Sequence, residues 1–353
     1  MPKICELPLH YGETPRWLFS LMVKLSEKII ELFLIEKEPN FFLEKIADPF
    51  WFQALGCVLG FDWHSSGLTT TVCAALKTAI KNLSLSEIIA AGGKGKTALN
   101  TLNELEEIGY KTGINVSPLI FASKTTAKID SVALQDGYSL YHHTIFATKN
   151  GEWVVIQQGM NPHNSLARRY HWHSRELKSY TCEPHKAVVS MKTHKKVLNL
   201  IAYENEKARK TIWAISQEKP EKNLKELKYL LSFRLPKEHS IIMENFSLER
   251  LEKKLKKIYE EKPKDFLSLI NMEGIGQKTI RALSLIAQLI YNEKISFRDV
   301  RIFAYAHGGK DGHPYPIIRK DYEVTINLLE KAIKESRISL NEKLLALRRL
   351  ACL

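Results

Sequence analysis

Between Gln135 and Gly159 the chain gathers a carboxylate, two imidazoles and an amide: Asp136, His142, His143 and Gln157. Carboxylate oxygen and imidazole nitrogen are ligands for hard and borderline divalent ions, so Asp136 and His142 form a candidate site for Mn2+ or Mg2+. An ion held there would activate water for attack on a phosphate ester, with His143 or the metal-bound hydroxide delivering the attack and Gln157 lining the pocket. The same groups can instead satisfy one another as a buried polar network. Downstream, Ala167 to Glu176 reads ARRYHWHSRE. Here Arg168 and Arg169 offer charge for phosphates, while Tyr170 and Trp172 offer flat rings on which unpaired bases stack. The simpler alternative packs both rings in the core and leaves the arginines in solvent.

A second constellation lies between Asp265 and Tyr291, where Gly274-Ile275-Gly276 separates two helix-like runs and precedes Lys278, Thr279 and Arg281. Two glycines one residue apart permit a tight turn with positive φ and leave no Cβ between a phosphate and the peptide N–H groups. The following helix aims its dipole at the same anion. The segment resembles a helix-hairpin-helix motif through Ile270, Gly274, Ile275, Gly276, Lys278 and Thr279, with Ile280 standing where that motif has a small residue. The resemblance implies sequence-independent contact with a DNA backbone; the bland alternative is an ordinary helical hairpin with a Gly-rich turn. Lys310, in the Gly-rich run Ala306 to His313, is expected beside that turn. The run Ala90 to Thr97, AAGGKGKT, formally fits a loose nucleotide-binding loop. Ser86 to Ala90 reads as a short capped helix, however, and not as the buried strand from which such a loop departs. Lys94 is retained as a contact to a polynucleotide phosphate.

These residues need elements to position them. Ser139 to Thr148, Asn150-Gly151 and Glu152 to Gly159 together give the sequence's main hairpin signal. With a two-residue turn, Lys149 faces Glu152, Thr144 opposes Gln157 and His142 opposes Gly159, which places Asp136, His142, Thr144 and Gln157 around one pocket. Up to about Thr193 helices, Gly-bearing loops and β-like runs alternate, whereas the remainder is almost wholly helical with breaks at Pro220 and Pro236. The expected fold is therefore α+β: residues 1–195 as a mixed α/β part and candidate catalytic domain, and residues 196–353 as a helical part carrying the Gly-Ile-Gly turn.

The chain has 353 residues, 44% of them hydrophobic, enough for about two domains with proper cores. A net charge of +13 favours a polyanionic partner such as DNA. Five scattered cysteines without a CxxC pair argue against a disulfide framework and a cysteine zinc site. No signal pattern or membrane-length apolar run is evident, so a soluble cytoplasmic protein is expected.

Several stretches resemble domain-of-unknown-function family 763: PLHYG at Pro8, PRWL at Pro15, GGKGK at Gly92, ALQDGYSLYHH at Ala133, VIQQGMN at Val155, ARRYHW at Ala167 and FAYAHGGKDGHPYP at Phe303. The resemblance spans nearly the whole chain. It implies a DNA-processing protein whose N-terminal domain is similar to ParB- or sulfiredoxin-type nucleases. Three readings follow: a metal-dependent nuclease acting on single-stranded or structured DNA in repair, a non-catalytic DNA-binding scaffold, and a glycosylase using Asp299, which follows the Gly-Ile-Gly turn.

Overall fold

A computed structural model describes residues 14–60, 66–84, 87–163, 165–190, 194, 197–233, 247–300 and 339–351, with scattered residues between 326 and 334. The first part is helical: α1 (Arg16–Glu36), α2 (Pro39–Ala47), α3 (Pro49–Leu59) and α4 (Gly67–Asn82). In α1 the buried residues Met22, Leu25, Ser26, Ile29 and Phe33 recur at three- and four-residue spacing, as a helix with one covered stripe requires. Asp48 starts α3 by accepting from the Trp51 amide at 2.7 Å, with Pro49 at the first helical position.

Strand β1 (Ile88–Lys94) leads through α5 (Lys96–Leu99) and α6 (Thr101–Thr112) to α7 (Ser117–Lys128), which ends in one π turn, Ile129–Ala133. After the two-residue β2 (Leu134–Gln135) come β3 (Ser139–Thr148), β4 (Trp153–Asn161), β5 (Leu166–His173) and β6 (Ala187–Val189). These make one antiparallel sheet in the order β1-β3-β4-β5-β6, while β2 pairs with β7 (Leu198–Asn199).

The β3–β4 register differs from the expected one by a residue. Thr148 pairs with Glu152 around a three-residue loop, Lys149-Asn150-Gly151, in which Gly151 takes φ +87°. A three-residue hairpin with its last residue left-handed explains the choice. Thr144 therefore opposes Ile156, His143 opposes Gln157 and His142 opposes Gln158. Because side chains alternate, this shift moves Gln157 away from Thr144 and His142 and onto the other face with His143.

Both faces of the sheet are covered. On one, Ile88, Ala90, Phe146, Val154 and Ile156 pack with α1–α4. On the other, Ile145, Val155, Tyr170, Trp172 and Val188 join a cluster that continues into α8 (Glu206–Ser216), α9 (Pro220–Leu231), α10 (Leu248–Glu261), α11 (Phe266–Asn271) and α12 (Gln277–Leu289). A last helix, α13, covers Leu340–Ala351. The protein is α+β, and among the described residues no helix is long and apolar enough to cross a membrane.

Candidate functional site

The face of the sheet toward α7 carries a chain of polar side chains centred on Asp130, in the π turn after α7. Asp130 is fully buried and accepts from three donors: Gln157 Nε2 at 2.6 Å, Trp172 Nε1 at 2.8 Å and His185 Nε2 at 2.5 Å. The Gln157 amide nitrogen is thus committed to Asp130, so its Oε1 accepts from His143 Nδ1 at 3.0 Å. The remaining ring nitrogen of His143, Nε2, is then an acceptor for the Ser123 hydroxyl at 2.8 Å. Burial lowers the His143 pKa, against the opposing pull of Gln157 and Asp130, which agrees with a neutral ring in this tautomer. The result is a satisfied relay from Ser123 to His185, whose side chain is 6% exposed.

Beside it lies a second buried group. Arg168 donates to Asp136 at 2.9 Å and makes a two-pronged pair with Asp299 at 2.9 and 2.8 Å. Tyr170 donates its hydroxyl to Asp136 at 2.7 Å, and the guanidinium lies 4.7 Å from the Tyr138 ring centroid. Burial raises the Asp136 pKa, with Arg168 and Tyr170 opposing; Asp299, a like charge sharing the same guanidinium, adds to the rise.

The opposite face holds His142, Thr144, Arg169 and Gln158. His142 Nε2 meets Thr144 Oγ1 at 3.1 Å, and burial, followed by the charges of His143, Lys94 and Arg169, pushes its pKa down to about 3. Arg169 donates to Thr69 Oγ1 and Gln53 Oε1, both at 3.2 Å, and stacks over Phe52.

The sequence-predicted residues are therefore redistributed. Asp136 engages Arg168 and Tyr170 on one face while His142 looks into the other, so the proposed metal pair is separated by the sheet. Among the described residues no cluster of three or more His, Cys, Asp or Glu side chains is built to hold an ion. His143 and Gln157 do come together, but as partners of each other. Arg168, Arg169, Tyr170 and Trp172 are all 0% exposed, so the expected base-stacking surface is corrected to core. The physical reason is the position of β5, hydrogen-bonded on both sides in a sheet covered on both faces. Asp299, the aspartate of the glycosylase reading, is bound to Arg168 and buried.

At the Gly-Ile-Gly turn, Gly274 is exposed with φ +81°, while Gly276 is extended at φ −139° and precedes α12. Only the first needs the left-handed freedom of glycine. Lys278 is exposed, Thr279 is buried, and Arg281 turns inward to donate Nε to Gln135 Oε1 at 2.6 Å. Burial brings the Arg281 pKa down to about 10. Lys94 is exposed at the end of edge strand β1; Lys310 lies outside the described residues.

The AAGGKGKT run is not a nucleotide loop, though for a different reason than expected. Ile88 to Lys94 is a strand and not a helix, and it runs straight through the first five residues of that run. Its amides are consumed: Gly92 N–H binds Glu104 at 2.6 Å and Gly95 N–H binds the Tyr141 carbonyl at 2.8 Å.

Sequence reasoning missed Asp130 and His185. The available signal was a lone carboxylate in the apolar run Ile129-Asp130-Ser131-Val132-Ala133, a residue type that is seldom buried without partners. Neither a curated protein nor a solved structure matches the chain. The family described as "Protein of unknown function (DUF763)" matches residues 3–317, and the chain belongs to that family.

Proposed function

We propose that this protein binds nucleic acid through the sugar–phosphate backbone, using the surface formed by α11, the Met272–Gly276 turn and α12 in the manner of a helix-hairpin-helix motif. The observation that carries this is the open approach to the start of α12 at Gly274 and Gly276. That helix begins at Gly276 without a side-chain cap, as do α1, α2 and α4 to α9. A helix start carries the positive end of the dipole and favours an anion. A Cβ at Gly274 or Gly276 would meet nothing within 4 Å, so the approach is open. Exposed Lys278 and the net charge of +13 act in the same direction.

The test is Gly276→Val. Extended backbone and open space let the variant fold, so weakened affinity reports on blocked approach of phosphate. A labelled DNA duplex should bind about 1–3 kcal/mol more weakly, the scale of one charge-assisted hydrogen bond. Unchanged affinity in a folded variant sinks the assignment.

Cleavage of the bound strand is a second reading, favoured by three buried carboxylates on one side of the sheet, Asp130, Asp136 and Asp299, beside His185, whose side chain is 6% exposed. Residues 1–195, of ParB- or sulfiredoxin-like type, would then be the catalytic part. Incubation of labelled single-stranded, flapped and duplex DNA with Mn2+, Mg2+ or a chelator separates cutting from binding.

A further inference from the structure

The Met272–Gly276 turn shares its surface with residues far away in sequence. Lys128, the last residue of α7, donates Nζ to the Ile275 carbonyl at 2.6 Å and the Met272 carbonyl at 3.2 Å. Asn271 also reaches α7, donating to Thr125 Oγ1 at 3.0 Å. The turn is therefore docked on α7 with its carbonyls satisfied from behind. Burial, and then the charges of Lys124 and Lys254, make Lys128 harder to protonate, with Glu273 opposing. Lys124, on α7, is exposed, and Lys254, on α10, is half-buried. Among the described residues neither forms an ion pair, in contrast to Lys256 and Lys257 of the same α10, which are paired with Glu252 and Glu261. Lys124 and Lys254 thus bring charge from α7 and α10 to the Lys128 that docks the turn, and Lys278 stands exposed in the first turn of α12.

Convergent like charges repel one another in the free protein, and an anion bridging them relieves that repulsion. We infer that α7 and α10 belong to the nucleic-acid face, with Lys124 and Lys254 each neutralising a phosphate on the strand held by the α11–α12 turn. This rests on the reading of that turn as a backbone grip and widens it: the binding surface is built from both parts of the chain, so the α/β part holds the strand directly.

The experiment is the salt dependence of full-chain binding to a short labelled DNA duplex. Each phosphate left without its lysine lowers the log–log slope by about 0.9. A folded Lys124→Ala/Lys254→Ala double variant should therefore flatten the slope by about 1.8. A Lys37→Ala/Lys81→Ala control removes the same charge from exposed positions at the ends of α1 and α4, beyond the other face of the sheet, and should leave the slope in place. A double variant with the wild-type slope, in a protein that binds DNA and loses affinity on Gly276→Val, overturns this inference alone. A wild type that binds no nucleic acid overturns the parent reading and this one together.

Discussion

Removing the carboxylate of Asp130 should be among the most destabilising single changes available in the sheet. In Asp130→Ala the Gln157 Nε2 and Trp172 Nε1 donors, both on residues 0% exposed and out of reach of solvent, lose their acceptor. Each buried donor left unsatisfied costs about 1–3 kcal/mol, so the loss is about 2–6 kcal/mol, a large part of a typical domain's stability. His185, its side chain 6% exposed, loses its partner as well, so this range is a lower bound. Asp130→Asn keeps one oxygen for Gln157 and Trp172, and His185 can accept from the new amide by exchanging tautomers. That variant should lose only the charge assistance, about 1 kcal/mol per bond. Urea unfolding followed by tryptophan fluorescence measures both. Nitrogen NMR of the wild type should also find His143 protonated on Nδ1, the tautomer that Gln157 imposes through Asp130. An Asp130→Ala protein within about 0.5 kcal/mol of wild type, or His143 protonated on Nε2, would refute the relay.

Two further outcomes follow from burial. His142 has its pKa lowered from the ordinary value of 6.5 to about 3, so the unfolded chain binds the extra proton and stability should fall as pH drops from about 6.5 toward 3. His142→Asn should flatten that part of the stability–pH curve, and an unchanged slope would show that His142 titrates normally in the fold. Arg281→Ala should lower stability by about 1–3 kcal/mol, by orphaning the buried Gln135 oxygen and emptying a packed site, yet leave the salt slope of DNA binding unchanged, whereas Lys278→Ala should lower that slope by about 0.9.

What the sequence revealed depended on how local each cause was. Helices α8 to α12 were legible because their apolar residues recur at helical spacing and Pro220 opens α9. The Asn150-Gly151 hairpin was legible as a hairpin, but Gly151 suits both a two-residue turn and the last position of a three-residue loop. That one-residue ambiguity decided which face carries Gln157. Arg168 was misread because charges beside aromatic rings resemble a wet surface, while its carboxylates lie 32 and 131 residues away. No local window contains the partners that make its burial tolerable.

The same geometry restricts where a ligand can act. Among the described residues the faces of the central strands are covered, and Arg168, Arg169, Tyr170 and Trp172 hold their places by contacts that a polynucleotide would have to break. Removing one member of such a buried ion pair costs about 3–5 kcal/mol, more than a single phosphate contact returns. The proposed backbone contact would therefore lie at the rims: the α11–α12 turn with its lysines on one element set, and the exposed end of β1 at Lys94 on another.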